Sequence, residues 1–79
     1  MTIRAYVLIQ TEVGQAADVV AAVRSIPGVV EADDVTGNYD VIARAEADSL
    51  DELGRTVLTK VQRLEGITRS STCLVVELG

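Results

Sequence analysis

The two halves of this sequence repeat each other. At a fixed offset of 38 residues, Val19 falls on Val57, Val20 on Leu58, Val23 on Val61 and Ile26 on Leu64. Gly28 likewise falls on Gly66, and Val29 on Ile67. Each half reads strand, helix, strand, and a doubled unit of that kind leaves few folds open. Right-handed crossovers leave a gap between the two strands of a unit, and a strand of the other half fills it. The expectation is one α+β domain over 1–79, a βαββαβ ferredoxin-like sandwich. Its expected strand order is 4-1-3-2, antiparallel except for the central pair.

The local patterns support that reading. Ile3, Ala5, Val7 and Ile9 alternate with Arg4, Tyr6, Leu8 and Gln10, which is strand periodicity. The second face also carries apolar groups, Tyr6 and Leu8, so this strand needs cover on both sides. The chain's own helices supply one cover, and a second subunit is expected to supply the other. Thr11 to Gln15 reads as a connection. Ala16, Val19, Val20, Val23 and Ile26 follow helical spacing up to Pro27, which stops the helix because the residue before a proline avoids the α region. Val29 to Val35 carries Glu31, Asp33 and Asp34, a charge load that suits an exposed edge strand. Tyr39 to Ala47 is the second strongly apolar strand. Ser49 to Glu52 has the Ser-x-x-Glu form of a capping box. Leu50, Leu53, Val57, Val61 and Leu64 form the expected buried stripe of the helix it opens, and Gly66 ends that helix. The last strand is expected over Ile67 to Leu78.

Composition narrows the function classes. With 79 residues, the chain buries roughly 60–65% of its unfolded surface. Its only aromatic residues are Tyr6 and Tyr39, so the core is aliphatic, and a small aliphatic core gains stability by oligomerising. The formal charge of −5, without a block of Lys or Arg, argues against a phosphate-tracking surface and direct nucleic-acid binding. No apolar run reaches the ~20 residues of a membrane span. The N-terminal run lacks the form of a signal peptide, and a cytoplasmic location is expected. The absence of histidine removes the commonest general base and metal ligand. Asp33 and Asp34 are adjacent on a strand, point to opposite faces and cannot easily share a metal. Cys73, the only cysteine, reads as an inert, packed thiol. No enzyme activity, metal or cofactor is expected.

Thr36-Gly37-Asn38-Tyr39-Asp40 is the strongest turn signal, since Gly and Asn tolerate positive φ. It reads as a hairpin tip. In structural terms Tyr39 packs there and Asp40 hydrogen-bonds the turn. In functional terms, exposed N–H groups at such a tip form an anion-binding concavity. Asp40 beside them offers a carboxylate for an ammonium. A zwitterion such as a free amino acid suits the pair. Ser70 and Thr72, on one face of the last strand, add hydroxyl groups.

The same residues resemble a known family. Gly37-Asn38-Tyr39-Asp40 followed by an apolar strand is similar to the Gly-x-Tyr/Phe-Asp signature of Lrp/AsnC transcriptional regulators, in particular their effector-binding RAM domain. The Leu50-x-x-Leu53 helix, Leu64-Glu65-Gly66-Ile67 and Arg69-Ser70-Ser71-Thr72 are similar to that module's C-terminal part, with Glu65 in place of the usual proline and Ser70 in place of a usual threonine. The resemblance spans essentially the whole chain. It implies a dimer built sheet to sheet, commonly assembled into a ring of four dimers. It also implies an amino-acid effector held by Gly37, Asn38, Tyr39, Asp40, Ser70 and Thr72. The chain begins at the module's first strand, so the resemblance implies a stand-alone form without the winged helix-turn-helix, acting through its own oligomer or with full-length regulators. Other readings are a small dimeric α/β-barrel monooxygenase, a ligand-free interaction module, and an ACT domain with its site near Thr11 to Gln15.

Overall fold

The computed structural model describes residues 2–77. Strand β1 (Ile3–Thr11) leads into helix α1 (Ala16–Arg24) and strand β2 (Val29–Asp34). Strand β3 (Val41–Ala47), a second helix α2 over 50–62 and strand β4 (Ile67–Leu74) complete the doubled unit. The sheet order is β2-β3-β1-β4, which is the expected order viewed from the other edge. All three neighbouring pairs run antiparallel. The expected parallel central pair is therefore corrected. A crossover through α1 sets β2 parallel to β1, and the β2–β3 reversal then turns β3 against both. The connectivity leaves β1 and β3 no other orientation.

The core lies between the sheet and the helices. Cross-strand partners Ile9–Val41, Val7–Ala43 and Ala5–Ala45 face the helices and are buried. The alanines of β3 keep this face low, and Leu53, Val57 and Val61 of α2 and Val19, Val20 and Val23 of α1 pack down onto the core. Ile26 is buried just beyond the end of α1.

The repeat is visible in the packing. A Cβ on Gly28 would lie 2.9 Å from Val57 Cγ2, and one on Gly66 would lie 3.2 Å from Val19 Cγ2. Each glycine thus meets the helix of the opposite half, at the position equivalent to the one its own partner meets. Gly28 also has φ +100°, a conformation in which any Cβ is strained.

Helix α2 differs from the expected regular stripe. It is α-helical at Leu50–Glu52, π-helical through Leu53–Leu58 and α-helical again at Thr59–Gln62. The Thr59 hydroxyl donates to the carbonyl of Gly54 at 2.9 Å, reinforcing the wider i→i+5 turn. Four-residue steps from Leu53 to Val57 to Val61 stay on the buried face. Leu50 does not join them and is 58% exposed. It occupies the first turn, where side chains lean toward the N-terminus and away from the body of the helix. Ser49 accepts from the N–H of Glu52 at 3.1 Å, as a capping residue does. The return arm lands one residue early, with Glu52 Oε2 accepting from the N–H of Asp48 at 3.2 Å.

Strand β4 ends at Leu74, short of the expected Leu78, which lies outside the described residues. The N–H of Val75 still donates to the carbonyl of Arg4 at 2.9 Å and extends the pairing by one step.

Candidate functional site

The turn is a six-residue connection over 35–40, wider than the expected tip between strands at Val35 and Tyr39. Its base is closed by the N–H of Val35 donating to the carbonyl of Asp40 at 2.9 Å. Positive φ occurs at Gly37 (+125°) but at no described non-glycine residue, so Asn38 keeps an ordinary backbone. Thr36, Gly37 and Asn38 are exposed, and Tyr39 and Asp40 are half-buried.

Three successive residues of β1 hold this turn. The N–H of Asp40 donates to the carbonyl of Ile9 at 2.8 Å. The side-chain amide of Gln10 donates to the carbonyl of Asn38 at 2.8 Å. Asp40 Oδ2 accepts from the N–H of Thr11 at 2.8 Å and more loosely from its hydroxyl at 3.4 Å. Thr11 sits where β1 slips register against β4, between Gln10 and Thr11. The carboxylate therefore takes up a strand N–H of β1 rather than one within the turn, as the structural reading of the sequence supposed. The backbone N–H groups of Gly37, Asn38 and Tyr39 have no acceptor among the described residues. Unpaired donors beside a carboxylate suit a ligand carrying both charges.

Ser70 and Thr72 lie on the other side of β1. Ser70 pairs with Ile9 and Thr72 with Val7, so both are on the helix-side face of the edge strand. Both are exposed. Two strand spacings separate β4 from the connection at the end of β3, about 9–10 Å. Within one chain the structure brings Gly37, Asn38, Tyr39 and Asp40 together and leaves the two hydroxyl residues apart from them. Gln10 and Thr11 were not anticipated as part of this site. Their contacts to the turn span 28 and 29 residues, and nothing local in the sequence marks them.

The face of the sheet away from the helices is open. Tyr6, Leu8 and Ile42 form its apolar centre, with Tyr6 opposite Arg44 and Leu8 opposite Ile42. Tyr6 is 43% exposed. Arg44 meets Glu31 at 3.7 Å along the rim. Cys73 pairs with Tyr6 on this same face and is exposed, which corrects the expected packed thiol: β4 is an edge strand with no layer over it. At the other edge, Glu31, Asp33 and Asp34 are exposed as expected, and Arg24 Nε donates to the carbonyl of Ala32 at 2.9 Å. Among the described residues no three His, Cys, Asp or Glu side chains gather as a metal site, and no helix is long and apolar enough to cross a membrane.

Residues 4–78 match the family of Lrp/AsnC ligand binding domains. The solved protein TTHA0845 of Thermus thermophilus is 31% identical, with a TM-score of 0.89 over 98% of this chain and 96% of that one. The curated HTH-type transcriptional regulator FL11 of Pyrococcus furiosus is 28% identical over 96% of this chain and 50% of its own length. This chain spans half or less of the length of the curated regulators it matches. The transcriptional regulator NMB0573 of Neisseria meningitidis, solved in complex with L-Met, shares the fold at 19% identity, with a TM-score of 0.81 over 95% of this chain and 50% of that one.

Proposed function

The chain belongs to the Lrp/AsnC ligand-binding domain family, and from that premise we propose that it is a non-enzymatic regulatory module that binds a free amino acid at the 36–40 turn. The observation that carries this reading is the set of unpaired N–H groups at Gly37, Asn38 and Tyr39 beside the carboxylate of Asp40. The donors suit an α-carboxylate, and Asp40 Oδ1 suits an α-ammonium. The L-Met complex of the Neisseria meningitidis regulator, a protein of the same fold, is a precedent for that ligand class.

The module works as an oligomer in this proposal. Two copies associate through the open sheet face, which buries Tyr6, Leu8 and Ile42 of each. Further assembly, up to a ring of four dimers, brings Ser70 and Thr72 of a neighbouring copy to the turn, because β1 separates them within one chain. The oligomer, alone or with full-length Lrp/AsnC regulators, carries the regulatory output in the cytoplasm without itself contacting nucleic acid. A ligand-free interaction module is the second reading. It is favoured by the engagement of Asp40 Oδ2 with the N–H of Thr11, which gives the carboxylate a structural role.

Light scattering with and without a mixture of the twenty amino acids separates the two. A dimer or larger species whose mass shifts with ligand supports effector-gated assembly. An unchanging dimer favours the interaction module, and a monomer contradicts the sheet-to-sheet association.

A further inference from the structure

We infer that Gln10 is the positioning residue of the effector turn. Its side-chain amide donates to the carbonyl of Asn38 at 2.8 Å, in the middle of the connection. The other bonds to this connection fall at its base, on Val35 and Asp40. Among the described residues no other hydrogen bond reaches the segment 36–39. Gln10 thus decides which way the Gly37, Asn38 and Tyr39 amides face. The turn needs such a hold, because Gly37 at its centre has a wide choice of backbone states.

Gln10 also touches the other half of the proposed site. Its carbonyl accepts from the hydroxyl of Thr68 at 3.3 Å, and its strand partner is Arg69. One residue therefore joins the turn to the segment of β4 that precedes Ser70. It does so at the rim of the open sheet face, where Gln10 continues the row of Tyr6 and Leu8. A ligand that pulls on the Asn38 carbonyl acts through Gln10 on both β4 and the face proposed to pair with a second copy. The role rests on the reading of the turn as the effector site, but its first test needs no ligand.

The test compares backbone order parameters of residues 36–39, by nitrogen relaxation, in the wild type, Gln10→Met and Gln10→Lys. Methionine keeps the length and removes the donor, and lysine keeps a donor. In the wild type the values are expected at about 0.85, falling below about 0.6 in Gln10→Met and recovering in Gln10→Lys. Order parameters of β3 serve as the folding control and stay unchanged. Values at 36–39 that do not move in Gln10→Met overturn the inference. Titration with amino acids then reads the consequence: affinity falls about tenfold in Gln10→Met and recovers in Gln10→Lys. A wild type that binds no amino acid sinks the effector reading itself, while the order parameters still decide whether Gln10 holds the turn.

Discussion

The carboxylate of Asp40 accepts from the N–H of Thr11 at 2.8 Å, across 29 residues and at the point where β1 slips against β4. One side chain thereby serves two purposes. Oδ2 satisfies a strand N–H of β1 that lies beyond the last β1–β3 pair, Ile9–Val41, and Oδ1 remains for a ligand. Two substitutions separate these roles. Asp40→Ala leaves the Thr11 N–H unpartnered and should cost about 1–2 kcal/mol in urea unfolding. Asp40→Asn keeps an oxygen for Thr11 and should stay within about 0.5 kcal/mol of the wild type. Both should lose attraction for an ammonium group.

The contact of Gly28 with Val57 gives a second prediction. Gly28→Ala places a Cβ at 2.9 Å from Val57 Cγ2 on a backbone at φ +100°. Left-handed strain and overpacking together should destabilise the chain by about 2–4 kcal/mol. Gly54 is the internal control. A Cβ there meets nothing within 4 Å. Gly54→Ala in helix α2 should stabilise by about 0.5–1 kcal/mol, read as a higher denaturation midpoint.

The cap of α2 can be tested alone. Ser49→Ala removes the acceptor for the N–H of Glu52 and should cost about 1 kcal/mol. Leu50→Ala, one residue on, should cost far less than the roughly 2–5 kcal/mol of a buried leucine, because Leu50 is largely exposed. Leu53→Ala, fully buried in the same helix, should fall within that range.

Association through the open face is tested by charge. Tyr6 and Leu8 stand at the centre of that face. Tyr6→Glu in both copies of a face-to-face dimer would bury like charges, so sedimentation should show monomer at concentrations where the wild type is a dimer. Val13→Glu, in the exposed β1–α1 loop away from the sheet, should leave the mass unchanged. Equal masses for Tyr6→Glu and the wild type would place any dimer on another surface.

Much of the fold was legible because its determinants are local and doubled. The alternation of Ile3 to Gln10, the helical steps of Val19 to Ile26 and the Ser49 cap are read within a few residues. The offset from Val19 to Val57 then specifies the strand order. The orientation of the central pair differs from the expected parallel one, although the same connectivity settles it. The spacing of Leu50 fits the buried stripe, but periodicity does not report that the first turn of the helix lies exposed. The dipeptide Gly37-Asn38 correctly marked a reversal but not its width, which depends on the Val35–Asp40 bond. Cys73 reads as packed from its place in mid-strand, although the expected order 4-1-3-2 already sets that strand at an edge, where its side chain is exposed. The contacts of Gln10 and Thr11 with the turn carry no local signature, since they are made by strand pairing between distant segments. The separation of Ser70 and Thr72 from Asp40 is already contained in the expected order 4-1-3-2, which sets β1 between β3 and β4.

The central claim is that the 36–40 turn holds a free amino acid with Asp40 as the ammonium partner. Isothermal titration of each of the twenty amino acids into the wild type and into Asp40→Asn tests it most directly. The account expects at least one amino acid to bind the wild type and to lose about tenfold or more in affinity with Asp40→Asn, at nearly unchanged folding stability. No heat with any of the twenty, or equal affinity in the two proteins, would contradict it.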